Sequence, residues 1–198
     1  HTPESCSYVL AGGQYVETLE SASLSGTGTI NLTGSDSVNL ILGNNGINQL
    51  YGQGGADTLH GFAGADYLFG GVDLDNLYGG TGDDAYFIGT NDGDRIWEFA
   101  GEGYDTVSTA VDYTLPDTAY VERLEAGTLG ATTPLSLGGS DFHNLILGNA
   151  GNNTLGGFGG ADTLHGFGGD DILIGDTGAD VMYGYAGNDT YYVDNAGD

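Results

Sequence analysis

The amino-acid sequence predicts an all-β fold, a β-solenoid made of two tandem modules. Two observations predict it. A glycine-rich pattern recurs with the period of a nonapeptide, and longer segments return about 105 residues later in the chain. Fixed periods of this kind are typical of solenoids, in which each repeat stacks on the next. Helices are excluded, because glycine every few residues would cost an α-helix about 1 kcal/mol each relative to alanine.

Each nonapeptide divides into a turn and a very short strand. In the clearest copy the turn is Gly79–Asp84 and the strand is Ala85–Phe87. Glycines permit the positive φ that tight turns need, and the middle residue of such a strand points away from its flanking neighbours. The middle residues are apolar, so we expect them to form one continuous core. They are Leu32, Ile41, Leu50, Leu59, Leu68, Leu77 and Tyr86 in the first copy, and Leu137, Ile146, Leu155, Leu164, Leu173, Met182 and Tyr191 in the second.

The longer period marks a duplication of the whole module. Residues 32–62 align with residues 137–167, and about three positions in four are identical. The second copy ends inside its module, so we expect the chain to be a section of a longer array. The predicted divisions are a β-rich spacer at 1–31, a nonapeptide array at 32–94, a second β-rich spacer at 95–136 and a second, truncated array at 137–198.

The chain is strongly acidic, with 28 aspartates and glutamates against two basic residues, and its formal net charge is −26. Proteins that bind nucleic acids need basic side chains to contact phosphates, and this chain contains no lysine. Anionic membrane surfaces would repel it, and no apolar run approaches the roughly 20 residues of a membrane span. We therefore expect that the chain neither binds nucleic acid nor inserts into a membrane. The single cysteine, Cys6, excludes a disulfide within the chain.

Acidic residues recur at the end of each turn. Two nonapeptides make one coil of the predicted solenoid, so every second turn stacks on the same side, for example Asp57 over Asp75. Carboxylates stacked in neighbouring coils without a cation between them repel each other. A hard divalent cation would bind them together with exposed glycine carbonyls, and many oxygen ligands in flexible geometry suit Ca²⁺ better than Mg²⁺. The predicted ligands are Asp57, Asp66, Asp75, Asp84, Asp162, Asp171, Asp180 and Asp189, with the turn glycines Gly52, Gly61, Gly70, Gly79, Gly82, Gly157, Gly166, Gly175 and Gly184.

Some turns depart from this pattern. Asp198 follows Asp180 by the length of two nonapeptides, and Asp94 is its equivalent in the first copy, so each is expected to complete one further site. Asp73 stands where the third glycine of its turn belongs, and aspartate tolerates left-handed backbone better than most residues. Asparagine, which keeps an oxygen ligand but loses the charge, is expected to form weaker sites or caps. It replaces aspartate at Asn39, Asn48, Asn144 and Asn153.

The nonapeptide Gly-Gly-x-Gly-x-Asp-x-apolar-x resembles the RTX, or haemolysin-type, calcium-binding repeat, and Gly79–Asp84 matches its turn without departure. The resemblance implies a right-handed parallel β-roll with Ca²⁺ held between the turns of neighbouring coils. It also implies secretion by a type I system and folding only after release into calcium. The spacers are similar to segments that separate such arrays in large bacterial surface and secreted proteins.

We therefore expect a calcium-binding repeat region of a secreted bacterial protein, located outside the cell or at its surface. Several ions, about four per module, would fold and stiffen the chain. A structural, adhesin or extracellular-matrix role is the first interpretation. One alternative is a folding and export appendage of a secreted hydrolase or toxin whose catalytic domain is not in this chain. A second is a self-assembling filament or layer subunit that contacts neighbouring modules.

We predict that the chain is not an enzyme. It contains no nucleophile elbow, no zinc-protease helix and no phosphate-binding loop. His60 and His165 occupy equivalent strand positions, and they fit outward-facing side chains better than zinc ligands, since no third soft ligand has the right spacing. Two duplicated pairs of glutamates are expected to lie at solvated strand edges, rather than to act as the general acid and general base of a catalytic site. They are Glu17 with Glu20 and Glu122 with Glu125.

Aromatic side chains also recur in every second nonapeptide. Tyr51, Phe69 and Phe87 should stack on one outer face of the solenoid, and His60 and Tyr78 on the other. One interpretation is a ladder that stiffens the sheet, with each pair contributing a few tenths of a kcal/mol. The other is an exposed apolar stripe that packs against a neighbouring module or subunit.

Overall fold

The structure is a computed structural model that describes residues 6–10, 17–89 and 93–198. These residues form β-strands, turns and loops, and none of them lies in a helix that could cross a membrane. The chain divides into two compact units, residues 1–105 and 106–198. The all-β prediction is therefore confirmed, whereas the four-part division into spacers and arrays stays a prediction.

The described residues of the first unit form ten strands. They are β1 (Cys6–Val9), β2 (Thr18–Glu20), β3 (Ile30–Thr33), β4 (Leu40–Asn44), β5 (Asn48–Gln53), β6 (Thr58–Ala63), β7 (Tyr67–Gly71), β8 (Asn76–Thr81), β9 (Ala85–Ile88) and β10 (Arg95–Trp97). The odd-numbered strands lie side by side in one sheet and the even-numbered strands in another. Because consecutive strands alternate between the two sheets, each coil contributes one strand to each sheet.

The second unit repeats this plan. Its strands are β11 (Thr106–Thr109), β12 (Tyr113–Thr114), β13 (Arg123–Ala126), β14 (Ser136–Gly138), β15 (Leu145–Leu147), β16 (Thr154–Gly156), β17 (Thr163–Gly168), β18 (Ile172–Ile174), β19 (Val181–Ala186) and β20 (Thr190–Tyr192). Odd-numbered and even-numbered strands again form separate parallel sheets. Each unit is thus a parallel β-solenoid, as the sequence predicts.

The pairing register confirms that one coil of the arrays contains two nonapeptides. Leu50 pairs with Leu32 on one side and with Leu68 on the other, and both partners occupy the same position two repeats away. The predicted spacers contribute coils to the same sheets, but these coils contain more residues. Tyr8 pairs with Leu32, and Tyr113 pairs with Leu137, so in both units the coil is longer than two nonapeptides. Within each unit the spacer residues therefore form longer coils of the same solenoid.

The predicted apolar column forms the core of each unit. From Leu32 to Tyr86 and from Leu137 to Leu173 its members are at most 3 % exposed. The prediction is wrong for Tyr191, which is 46 % exposed, and Met182 is only half-buried. Met182 lies in β19 and Tyr191 in β20, each the last strand of its sheet, and no strand among the described residues lies beyond them.

Candidate metal centres

The turns that carry the candidate ligands contain left-handed backbone at two positions. In the turn of residues 79–84, Gly80 and Gly82 have φ values of 93° and 129°. Asp73 stands at the second of these positions in its own turn with a φ of 79°, so its predicted left-handed conformation is confirmed. Phe62 is at the first position with a φ of 81°. These two reversals make the turn compact and bring its final aspartate back towards the first glycine.

The aspartates at the turn ends are joined by a regular hydrogen-bond ladder. One carboxylate oxygen of each, Oδ1, accepts a bond from the backbone N–H of the residue 18 or 19 positions earlier, at 2.7–3.1 Å. These bonds run from Asn39 to Asp57, Asp57 to Asp75, Asp75 to Asp94, Asn48 to Asp66 and Asp66 to Asp84, and from Asn144 to Asp162, Asp162 to Asp180, Asp180 to Asp198, Asn153 to Asp171 and Asp171 to Asp189. The structure therefore brings the predicted acidic residues together in stacked rows.

In five of these aspartates the second carboxylate oxygen, Oδ2, is buried, and the described part of the chain offers it no hydrogen-bond donor. They are Asp57, Asp66, Asp84, Asp162 and Asp171, each of which is at most 2 % exposed. A buried acceptor left unsatisfied costs about 1–3 kcal/mol, and more when it is charged. Oδ1 holds each carboxylate in place, so Oδ2 cannot turn away to water without breaking the ladder.

Each of these free oxygens lies beside the first glycine of its own turn. A Cβ on Gly61 would collide with Asp66 Oδ2 and would lie 2.6 Å from the carbonyl oxygen of Gly79, one coil further on. A Cβ on Gly157 would meet Asp162 Oδ2 and the Gly175 carbonyl oxygen, the latter at 2.7 Å. A carboxylate oxygen and a carbonyl oxygen therefore converge where a side chain would otherwise stand.

Eight of the nine predicted glycine ligands have the Oδ2 atom of their own turn beside them in this way. They are Gly52, Gly61, Gly70, Gly79, Gly157, Gly166, Gly175 and Gly184. Gly82 is different, because the space of its missing side chain faces the carbonyl oxygen of Gly64. Carboxylate and backbone carbonyl oxygens are the ligands that Ca²⁺ prefers, so the residues present fit this ion.

Burial also changes the acidity of the carboxyl groups. It raises the pKa of Asp57, Asp66 and Asp162 to about 7, although a backbone N–H bond opposes the shift in each case. Burial likewise raises the pKa of Asp84 to about 8, with nearby carboxylates adding to the effect. Near neutral pH these groups therefore hold protons for part of the time, and a bound cation would replace that positive charge.

The asparagine turns supply donors of their own. Asn153 Nδ2 donates to the carbonyl oxygen of Gly151 at 2.6 Å and to that of Asn149 at 3.2 Å. Asn48 Nδ2 likewise donates to the carbonyl oxygen of Gly46. These amide groups satisfy acceptors that a carboxylate would leave open. The geometry therefore favours caps over weaker sites, while metal binding by Asn39, Asn48, Asn144 and Asn153 stays a prediction.

The last acids of the rows are more open. Asp198 Oδ1 accepts a bond from the Asp180 N–H at 3.1 Å, and this bond lowers the pKa of the exposed Asp198 carboxyl. Asp189 is half-buried. Asp94, in contrast, is 3 % exposed and accepts the Asp75 N–H at 3.0 Å. Both additional acids, Asp94 and Asp198, thus stand in the predicted stacking positions, and their role as ligands stays a prediction.

Two acidic residues that the sequence did not indicate join the row of Asp84. Its backbone N–H donates to Asp105 Oδ1 at 2.9 Å, and the ligand atoms of Asp84, Glu98 and Asp105 all lie within 4.8 Å of one another. Burial raises the pKa of Glu98 to about 9, and the nearby carboxylates add to it. Asp105 follows Asp84 by more than two nonapeptides and Glu98 follows it by fewer, so a search at the repeat spacing misses both partners.

The aromatic residues stack as predicted. Ring centroids are 4.5 Å apart for Tyr51 and Phe69 and 4.2 Å apart for Phe69 and Phe87. His60 stacks on Tyr78 at 4.4 Å. These rings are partly buried on the outer faces of the strands, which fits the ladder interpretation.

The duplicated histidines, the duplicated glutamates and the cysteine lie in or next to strands of the solenoids. His165 stacks on Tyr183 at 5.0 Å, the same kind of pair that His60 forms. Glu17 and Glu20 are exposed, and Glu125 pairs with Arg123 at 2.5 Å. Cys6 lies in β1.

Comparison with known families agrees with this geometry. The family model described as RTX calcium-binding nonapeptide repeat (4 copies) matches residues 33–61, 42–77, 60–96, 138–166 and 165–198. Together these overlapping segments cover more than half of the chain and include both rows of turns in each unit. No curated protein matches the chain.

Proposed function

The chain belongs to the family of RTX calcium-binding nonapeptide repeats, and on that premise we propose that it folds and stiffens by binding Ca²⁺ in the stacked turns. One observation carries the proposal. Buried Oδ2 atoms, such as that of Asp66, have no hydrogen-bond donor among the residues that the structure describes, and they lie beside glycine carbonyl oxygens of the next coil. Solenoids of this family are calcium-binding structural domains and not catalytic ones, so we propose a structural role.

Different residues of each turn would have different roles in binding the ion. In the turn that ends at Asp66, the backbone N–H of Asn48 donates to Asp66 Oδ1 at 2.7 Å and so fixes the carboxylate. Gly61 leaves room for the second oxygen, and the Gly79 carbonyl adds a ligand from the next coil. Bound Ca²⁺ would supply the positive charge that this buried, acidic environment lacks. Each ion would therefore link two neighbouring coils.

Calcium binding and folding are expected to be one process. The ligands come from different coils, so a complete site exists only in the folded chain, and binding free energy becomes folding free energy. Extracellular calcium modules bind with Kd of about 10⁻⁴–10⁻³ M. At a calcium concentration 100-fold above Kd each site would add about 2.7 kcal/mol to the free energy of unfolding.

This linkage suits a protein that is exported before it folds. RTX repeats are typical of bacterial proteins secreted by type I systems, which supports a location outside the cell or at its surface. At low calcium the net charge of −26 would favour an expanded chain. We propose that the solenoid then serves as a structural, adhesin or extracellular-matrix component.

Small-angle X-ray scattering tests the proposal. In EGTA the radius of gyration should approach the roughly 48 Å expected for an unfolded chain of this length, and saturating CaCl₂ should reduce it by more than half. MgCl₂ at the same concentration is the control and should have little effect. A chain that is equally compact in EGTA and in calcium would overturn the proposal.

A further inference from the structure

The row of turns that contains Asp66 and Asp84 ends differently from the other rows. The next coil contributes no nonapeptide aspartate to it. Glu98 and Asp105 approach Asp84 instead, and both lie beyond residue 96, where the third segment matched by the family ends. This carboxylate cluster of Asp84, Glu98 and Asp105 is therefore separate from the repeat pattern, although it shares one residue with it.

The carboxylate cluster is closed to solvent. Asp84 is 2 % exposed, Glu98 is 1 % exposed and Asp105 is fully buried. The space of the missing Gly79 side chain faces Asp84 Oδ2, the Tyr86 hydroxyl and Glu98 Oε1, the last at 2.6 Å. Oxygen atoms from three different side chains thus surround one glycine.

Hydrogen bonds do not satisfy this group of oxygens. The Tyr86 hydroxyl accepts the Gly79 N–H at 2.7 Å and donates its one proton to Glu98 Oε1. Glu98 Oε2 and Asp84 Oδ2 are buried, and residues 6–10, 17–89 and 93–198 supply no hydrogen-bond donor to either. Burying carboxylates so close together is costly unless a positive charge offsets them, so these two oxygens are suited to binding a cation.

We propose that Asp84, Glu98 and Asp105 bind a divalent cation of their own, a Ca²⁺ site of three carboxylates that closes the first array. Tyr86 acts as a positioning residue, because its hydroxyl holds Glu98 Oε1 beside the Gly79 turn. Glu98 directly follows β10, so the ion ties the non-repeating segment after the array to the last nonapeptide turn. The site adds to the nonapeptide sites of the proposed function and is counted separately from them.

Counting bound calcium tests this site. Equilibrium dialysis of the whole chain against radioactive Ca²⁺ at saturation should give one ion fewer for Glu98→Gln than for the unchanged chain. Asp105→Asn should give the same loss, which guards against a folding defect specific to one variant. Glu20→Gln is the matched control, since it removes the same charge from an exposed strand residue of the same unit, and it should leave the count unchanged. Circular dichroism in calcium checks that each variant is folded.

The outcomes separate the two proposals. Equal ion counts for the unchanged chain, Glu98→Gln and Asp105→Asn would overturn the three-carboxylate site while leaving the nonapeptide sites intact. An unchanged chain that binds no calcium would overturn the proposed function as well. Loss of one ion in both variants, but not in Glu20→Gln, is the expected result.

Discussion

Two adjacent glycines allow the calcium site to be tested without changing any charge. A Cβ on Gly157 would collide with Asp162 Oδ2 and would lie 2.7 Å from the Gly175 carbonyl oxygen, whereas a Cβ on Gly156 would meet nothing within 4 Å. Gly157→Ala should therefore displace two proposed ligand oxygens. Gly156→Ala should leave them in place, although it adds the same methyl group one residue away.

The two substitutions should change the free energy of unfolding in opposite directions. Loss of one calcium site at a calcium concentration 100-fold above Kd removes about 2.7 kcal/mol from the free energy of unfolding. Gly156→Ala instead restricts the unfolded chain, and a compatible Gly→Ala substitution stabilises by about 0.4–1 kcal/mol. The two neighbouring variants should therefore differ by about 3–4 kcal/mol in saturating calcium.

Urea unfolding followed by circular dichroism measures this difference. Each variant is unfolded at saturating calcium and again at a concentration near Kd, where the contribution of one site falls to a few tenths of a kcal/mol. The cost of Gly157→Ala should shrink at the lower calcium concentration. A cost that stays constant with calcium would mean that the methyl group acts by steric strain alone, and equal stabilities of both variants would refute the proposed ligand geometry.

The core, the caps and the buried carboxyl groups each allow a further test. Leu68→Ala should lower the free energy of unfolding in calcium by about 2–5 kcal/mol, because Leu68 is fully buried; urea unfolding should show no such loss for the control Leu74→Ala, which alters a 59 % exposed residue. Asn48→Asp should add one ion to the calcium count, because it replaces amide donors with a buried carboxylate; an unchanged count would contradict the cap interpretation. In EGTA, lowering the pH from about 8 to about 5 should increase the β signal in circular dichroism. The folded chain has carboxyl pKa values raised to about 7 at Asp66 and about 8 at Asp84, so it binds protons that the unfolded chain, with the ordinary value of 3.8, releases. This stability is fully present below the unfolded pKa of 3.8 and is lost as the pH rises through about 7 to about 8, so a β signal that grows with pH in EGTA would refute it.

The repeat spacing was sufficient to predict the coil and most of the acidic rows. One coil contains two nonapeptides, so a column such as Leu50 and Leu68 and a stack such as Asp57 and Asp75 follow from counting. Local sequence preference and packing agree for these residues, because each pairs with the same position of another repeat. The same regularity explains why the aromatic ladders could be predicted.

The residues that break the repeat could not be predicted in this way. Glu98 and Asp105 reach Asp84 through a turn of different length, and no local pattern fixes how such a turn closes. Phe62 adopts a φ of 81° at a position where glycine would be expected, and its ring stacks on His60 at 5.9 Å. At these positions the fold overrides the local backbone preference of the residue.

The most direct test is circular dichroism of the purified chain, titrated with calcium from EGTA to about 10 mM, which exceeds the Kd range of extracellular modules. Magnesium is titrated in parallel. Calcium alone should produce a cooperative gain of β signal, because only this ion suits many oxygen ligands in flexible geometry. A full β signal in EGTA at neutral pH, or the same gain with magnesium, would contradict calcium-dependent folding through the stacked aspartate turns.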